Sequence, residues 1–353
     1  MKIFARLLFV SILHSVCACG SDGPVPADAR IIDKFHTLCA TKAEEANRNT
    51  SLAVAGNDNW LFLASELRHM SVGTFWEDAA AKISKASKPE WADPLPAILD
   101  FHSQLQAAGI ELVIIPVPAK VAIYPDMLDA SMKTPLPRID VSHQEFYSLL
   151  RKKGVAVLDI TDELLNLRSD GKSGGSLYCK TDSHWSPLTC ELTARAIVEH
   201  LKGRPWMLAA KQTFQTETKT VSFRGDLAKA RGAEMSETFS VRAAADDAKT
   251  VDSSSPVLLM GDSHCLVFHA GDDMLGTNFG LVDQLAIELG MPIDLLGIRG
   301  SGATTARVSL MQRTKGDSNY LAGKKLVIWC FSVREFTEAQ GWRNVPIVQA
   351  AAK

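Results

Sequence analysis

The sequence predicts an α/β protein: a parallel sheet covered by helices on both faces. Three observations carry this. Several short runs are rich in Val, Ile and Leu with no polar alternation, as expected for strands buried on both faces. Each run is preceded or followed by a stretch with helical periodicity. Residues able to do chemistry fall just beyond the carboxyl ends of several runs, where open α/β sheets place their ligand sites.

The chain begins with an export signal. Lys2 and Arg6 precede a short apolar core over 7–16, too short for a stable membrane anchor, and small residues follow. Residues 1–19 are assigned to this signal, with cleavage near Ala18 to Gly20. Val16-Cys17-Ala18-Cys19 also approximates a lipobox, so lipid attachment at Cys19 stands beside plain secretion. Residues 20–50 are expected to form a tether and a first helix, and 51–353 the main domain. Strands are predicted over 111–115, 155–159, 257–260, 293–297 and 326–331. Helices are predicted over 95–108, 142–153, 188–201, 281–289 and 304–313. The region 205–255 breaks this rhythm, with alternating Thr, Val and Phe near 213–223 and then a polar, Ala-rich stretch. It is expected to be an inserted β-hairpin with loops.

With 353 residues and a net charge of −2, the chain has ample material for a core and no basic run, which argues against a nucleic-acid partner. Beyond the signal, Cys39, Cys179, Cys190, Cys265 and Cys330 remain. Two expectations stand: a Cys179–Cys190 disulfide bracing the intervening loop, or five buried free thiols.

Two short elements hold the candidate chemistry. Thr181-Asp182-Ser183-His184-Trp185 offers a carboxylate and an imidazole two residues apart; Gly261-Asp262-Ser263-His264 puts a serine in a turn after the apolar run 256–260. A serine hydroxyl needs an adjacent base, and the base works best when a carboxylate fixes its tautomer. Asp182, His184 and Ser263 therefore supply a triad, in the order Asp, His, Ser. The turn is expected to lead into a helix whose N-terminus favours developing negative charge. The bland alternatives are a serine N-cap and an Asp182 helix cap. Gly300, in the turn Arg299-Gly300-Ser301-Gly302, is a candidate oxyanion donor; Arg299 and Arg334 are candidate cationic contacts to substrate. Trp185 can line the site or anchor the following helix in the core. His264 and His269 raise the idea of a metal site with Asp182 and His184. No paired-ligand spacing such as H-E-x-x-H supports it, so neither metal nor cofactor is expected.

At these residues the chain resembles the periplasmic alginate O-acetyltransferase family, SGNH-type enzymes of bacterial exopolysaccharide systems. The resembling segments are Val54 to Leu63, with its G-N-D-N-W-L-F core; Ile114-Ile115-Pro116-Val117-Pro118-Ala119-Lys120 with Tyr124-Pro125; Lys180 to Trp185; Arg224-Gly225-Asp226-Leu227; and Val327-Ile328-Trp329. The resemblance implies a flavodoxin-like SGNH fold with a circularly permuted order of motifs and Asp182, His184 and Ser263 as the triad. It also implies transfer of acetyl groups, supplied by a membrane-bound acyltransferase, to a polysaccharide acceptor in the periplasm, with an export complex as a further partner. His264 departs from the family pattern, where an aromatic residue or leucine is usual. Polymer capture is expected from the domain itself or from a partner. An acetyl esterase with the same triad and a non-catalytic polysaccharide-binding protein are the competing readings.

Overall fold

The computed structural model describes residues 29–132, 136–171, 174–208 and 211–348. The expected signal and Cys19 lie outside the described residues. The first helix, α1 (Ala29–Arg48), sets Phe35, Cys39, Ala43 and Ala46 along one buried stripe that joins the main core; the expected tether before it lies outside the described residues. A small hairpin, β1 (Ala53–Ala55) and β2 (Leu61–Leu63), leads into α2 (Ala64–Met70). Then α3 (Pro94–Ala107) starts where Asp93 accepts the Leu95 amide at 2.9 Å and Pro94 opens the first turn.

The central sheet is built from β3 (Glu111–Val117), β4 (Ala156–Val157), β7 (Val257–Gly261), β8 (Asp294–Gly297) and β9 (Leu326–Ser332). Its order is β4-β3-β9-β7-β8, and every pairing is parallel. Each of the five sequence-predicted strands is present. All residues of β7 and β9 are buried, which requires cover on both faces and explains the unbroken apolar runs. The helices α4 (Val141–Lys152), α5 (Thr161–Ser169), α6 (Pro187–Leu201), α7 (Leu281–Leu289) and α8 (Thr304–Gly316) complete the layers, with α6 packed on α7. Between α6 and β7 an antiparallel hairpin, β5 (Thr216–Phe223) and β6 (Glu237–Ala244), realises the expected insertion.

The sheet reverses its winding direction at β9. From β3 the chain adds β4 on one side; β7 and β8 are added on the other. The carboxyl ends of β7 and β9 therefore frame the crevice where such folds carry their sites.

One expectation about the turn is corrected. Ser263–Cys265 forms a single 3₁₀ turn, and the next α-helix begins only at Leu281. Phe268 (φ 67°) and Leu275 (φ 68°) take left-handed conformations in between, which no helix accommodates. His264 and His269 thus share no helix, and the turn contributes local amides rather than a macrodipole.

Candidate active site

The segment carrying Asp182 and His184 is a tight loop closed by a bridge between Tyr178 and Trp185. It is a run of bends, not an extended strand. What joins them is the short reach of an aspartate: Asp182 Oδ1 accepts both the His184 amide at 3.0 Å and His184 Nδ1 at 2.6 Å. His184 Nε2 then lies 2.7 Å from Ser263 Oγ. The Nδ1–H is thereby committed to the carboxylate, and Nε2 keeps its lone pair toward the serine. All three side chains are buried, with Asp182 at 1 % exposure, His184 at 7 % and Ser263 at 6 %.

Burial alone would lower the His184 pKa. The Asp182 charge and its hydrogen bond outweigh that, so the imidazole titrates above its usual value. Asp182 runs the other way: burial would raise its pKa, but His184 and the amides bound to it hold it well below the usual carboxylate range.

Distant elements hold this loop. Lys120 is buried, and its ammonium donates to the carbonyls of Leu61, Lys180 and Asp182, the last two at 3.0 Å. Its amide donates to Glu66 Oε2 at 3.1 Å. Glu237, at the start of β6, accepts the amides of Lys180 and Thr181 at 2.6 Å each. Asp226 donates its amide to Asp182 Oδ2 at 2.7 Å, and its carboxylate accepts the Ser183 amide at 2.7 Å and the Ser183 hydroxyl at 2.6 Å. Gly225 lets the two segments meet, since a Cβ there would stand 2.2 Å from Thr181 O. The Arg224–Leu227 motif thus has a physical purpose that its sequence did not disclose.

The serine turn is equally constrained. A Cβ on Gly261 would lie 1.6 Å from Cys330 O, so only glycine fits between β7 and β9. Asp262 Oδ1 accepts the His264 amide and His264 Nδ1, both at 2.9 Å; Oδ2 accepts the Ser332 amide at 2.8 Å. This second Asp-x-His unit repeats the local geometry of the first, and its ring lies 4.8 Å from that of His184. Burial keeps the His264 pKa below its usual value despite Asp262.

The remaining sequence candidates divide. Trp185 is fully buried and meets His264 edge-on at 5.3 Å, so it anchors the core and lines no groove. Arg299 is exposed and paired with Asp273 at 2.8 Å. In its loop the close approach to the serine turn is made by Gly302, not Gly300: a Cβ on Gly302 would stand 2.5 Å from Asp262 N. Glu335 Oε2 fastens that loop by accepting Ser301 Oγ at 2.6 Å and the Ala303 amide at 3.2 Å; burial lifts its pKa to about 7. Arg334 is half-buried and has no carboxylate within 4 Å among the described residues. The five cysteines are buried free thiols, the second of the two expectations.

Asp182, His184 and Asp226 also bring ligand-capable atoms within 4.8 Å of one another. A cation would have to displace the proton between Asp182 and His184 and the amides held by both carboxylates. The donor set is already closed on itself, which fits a proton relay better than a metal site.

A parallel α/β sheet with an Asp-x-His loop preceding the serine turn defines the SGNH hydrolase-like class in its permuted order. Residues 53–333 match the family model described as SGNH hydrolase-like domain, acetyltransferase AlgX, and the chain belongs to that family. Among curated relatives, the probable alginate O-acetylase AlgJ of Pseudomonas aeruginosa is 28% identical over 175 residues, 49% of this chain and 39% of that protein. The AlgJ of Pseudomonas fluorescens is 26% identical over 249 residues, 66% of this chain and 59% of the relative. The chain therefore spans well under two thirds of these relatives. The solved O-acetyltransferase domain of Pseudomonas putida AlgJ superimposes with a TM-score of 0.58 at 22% identity, covering 84% of this chain and 94% of that domain. Pseudomonas aeruginosa AlgX gives 0.58 at 18% identity, with 82% and 64% covered. At these identities the two structures speak for the fold.

Proposed function

We propose that this chain is an O-acetyltransferase that esterifies hydroxyls of a bacterial exopolysaccharide, alginate-like in being acidic. The observation that carries the reading is the continuous relay from Asp182 Oδ1 to His184 and on to Ser263 Oγ, at 2.6 and 2.7 Å. In the first half-reaction Ser263 Oγ attacks the donor's acetyl carbonyl, His184 Nε2 takes the serine proton, and the proton passes to the departing donor oxygen as its bond to the acetyl group breaks. In the second, His184 takes a proton from a sugar hydroxyl, whose oxygen attacks the acetyl-serine; that proton returns to Ser263 Oγ as the ester bond breaks. The Ser263 amide opens its 3₁₀ turn, where no bond within the turn uses it, so it is available to the oxyanion. The Gly300–Gly302 turn supplies a second donor, and Arg334 receives a sugar carboxylate.

The names of the relatives support polysaccharide acetylation. A membrane-bound acyltransferase as donor, an export complex and a periplasmic location, with or without a lipid at Cys19, complete the proposal. No helix among the described residues is long and apolar enough to cross a membrane. The test is incubation of purified protein with an acetyl-ester donor, with and without acidic oligosaccharides. The reading requires sugars that gain acetyl units with Ser263 and gain none with Ser263→Ala. Release of free acetate with every acceptor unmodified would favour an esterase.

A further inference from the structure

The second Asp-x-His unit, Asp262 with His264, flanks Ser263 yet takes no part in the relay. Its local geometry is fixed as firmly as that of the first. Asp262 Oδ1 accepts the His264 amide and His264 Nδ1, both at 2.9 Å, so the ring proton sits on Nδ1 and Nε2 carries a lone pair. Asp262 is held in turn, because its Oδ2 accepts the Ser332 amide at 2.8 Å. Burial outweighs the Asp262 charge and disfavours a second proton on the ring.

Nε2 is the unusual atom. His264 is 2 % exposed, yet its Nε2 has no hydrogen-bond partner among the described residues. Trp185 Nε1 also lacks a partner, but it is sealed from solvent; His264 Nε2 is not among the sealed atoms, so the little exposure of this residue includes its lone pair. An open acceptor in an otherwise fully bonded turn points to a ligand with a hydrogen to give. The His264 ring lies 4.8 Å from that of His184, whose own Nε2 meets Ser263 Oγ at 2.7 Å. Neighbouring rings therefore carry two imidazole lone pairs, each fixed by its own carboxylate. Counting protons shows what can serve both. An acetyl ester has no hydrogen to donate, and a single hydroxyl has one proton and serves one imidazole. Two hydroxyls on adjacent carbons have two protons, and their oxygens stand about a hydrogen-bond length apart, which suits adjacent rings. Water also has two, which makes it the competing occupant.

We propose that His264 Nε2 accepts a hydrogen bond from the acceptor hydroxyl next to the one that attacks, so that the site selects sugars with a vicinal diol over sugars with an isolated hydroxyl. The attacking hydroxyl gives its proton to His184; its neighbour keeps its proton and only donates the hydrogen bond. This rests on the reading that the protein acetylates a sugar. A phenyl ring or a leucine side chain at position 264 would offer no such acceptor, so the selection belongs to the histidine. A sugar lacking the second hydroxyl leaves this lone pair unmet, which is the kind of loss that lets a site reject an analogue.

The test uses a methyl pyranoside whose only two free hydroxyls are on adjacent carbons, and its two monodeoxy analogues. With an acetyl-ester donor, kcat/KM for transfer to the diol should exceed that for either analogue by at least about tenfold. In His264→Phe the three should come to within about threefold, a ratio that a general loss of activity does not move; melting temperatures check folding. A second measurement needs no turnover. In the unmutated protein with ¹⁵N-labelled histidine and no donor, the His264 Nε2 resonance, identified by its absence from His264→Phe or His264→Gln, should shift with the diol and stay in place with the analogues. Equal transfer to diol and analogues, a preference retained in folded His264→Phe, or an Nε2 resonance indifferent to the diol would overturn the proposal. The parent reading fails differently. Acetate released with every sugar unmodified, alongside a diol-specific shift at Nε2, would remove acetyl transfer and leave the diol site. All three sugars acetylated alike would remove the diol site and leave transfer.

Discussion

Replacing Gly225 with alanine should inactivate the protein from a position that touches neither serine nor histidine. The added Cβ would lie 2.2 Å from Thr181 O and 2.6 Å from Asp182 N, where ordinary contacts begin near 3.4 Å. The φ of Gly225 is −66°, so the backbone itself tolerates alanine and the effect is steric. Relief requires the 224–227 turn and the 181–182 segment to part by about 1 Å, which stretches the 2.7 Å bond from the Asp226 amide to Asp182 Oδ2 and the 3.0 Å bond from the Ala228 amide to Thr181 O. A displacement of that size at a catalytic carboxylate costs on the order of 10²-fold in rate. Overpacking should cost about 1–3 kcal/mol of stability, which leaves a folded protein. Turnover of a chromogenic acetyl ester, measured with thermal unfolding of the same samples, reads both effects. A folded Gly225→Ala protein with turnover within about threefold of the parent would refute the view that this turn sets the position of Asp182.

Asp182→Asn should fold and lose about 10⁴-fold in turnover, because the amide no longer fixes the tautomer of His184 or stabilises its cation; single-turnover kinetics on the same ester check this. The pH profile should follow His184. Protonated imidazole cannot accept the serine proton, so kcat/KM should fall on the acid side, with its half-point above the ordinary histidine value of 6.5. In Asp182→Asn the residual activity should have that half-point moved down, since the raising charge is gone; an unmoved half-point would break the link. The buried thiols make a separate prediction: a disulfide-exchange reagent should label no cysteine in the native protein, and a reductant should leave the melting temperature unchanged.

The sheet was legible because its strands are buried on both faces, which leaves an uninterrupted apolar signature at 111–115, 257–260 and 326–331 that needs no partner to be recognised. Helix starts were legible where a local device marks them, as at Asp93-Pro94 and Ser186-Pro187. The Asp182, His184 and Ser263 set was readable because each member sits in a compact motif. Its supports were not. Glu237 lies in a polar stretch with no pattern and matters only because the hairpin brings it back to Lys180 and Thr181. Lys120 and Asp226 belonged to quoted motifs, yet their partners lie some sixty and forty residues away, beyond the reach of local periodicity. The helix expected after Ser263 failed because the chain leaves the turn through a run of positive-φ residues, Phe268, Gly271, Asp272, Leu275 and Gly276; the two glycines were a readable signal, whereas the packing of Phe268 on Phe223 and Phe279 was not.

The central claim, that Ser263 carries the acetyl group, is tested most directly by acid-quenching the protein during turnover of an acetyl ester without sugar acceptor and mapping the peptides by mass spectrometry. The account predicts one acetyl group on the peptide containing Ser263, lost when a sugar acceptor is added and absent from Ser263→Ala. Turnover that proceeds with this peptide unmodified, or with the acetyl group on another residue, would contradict it.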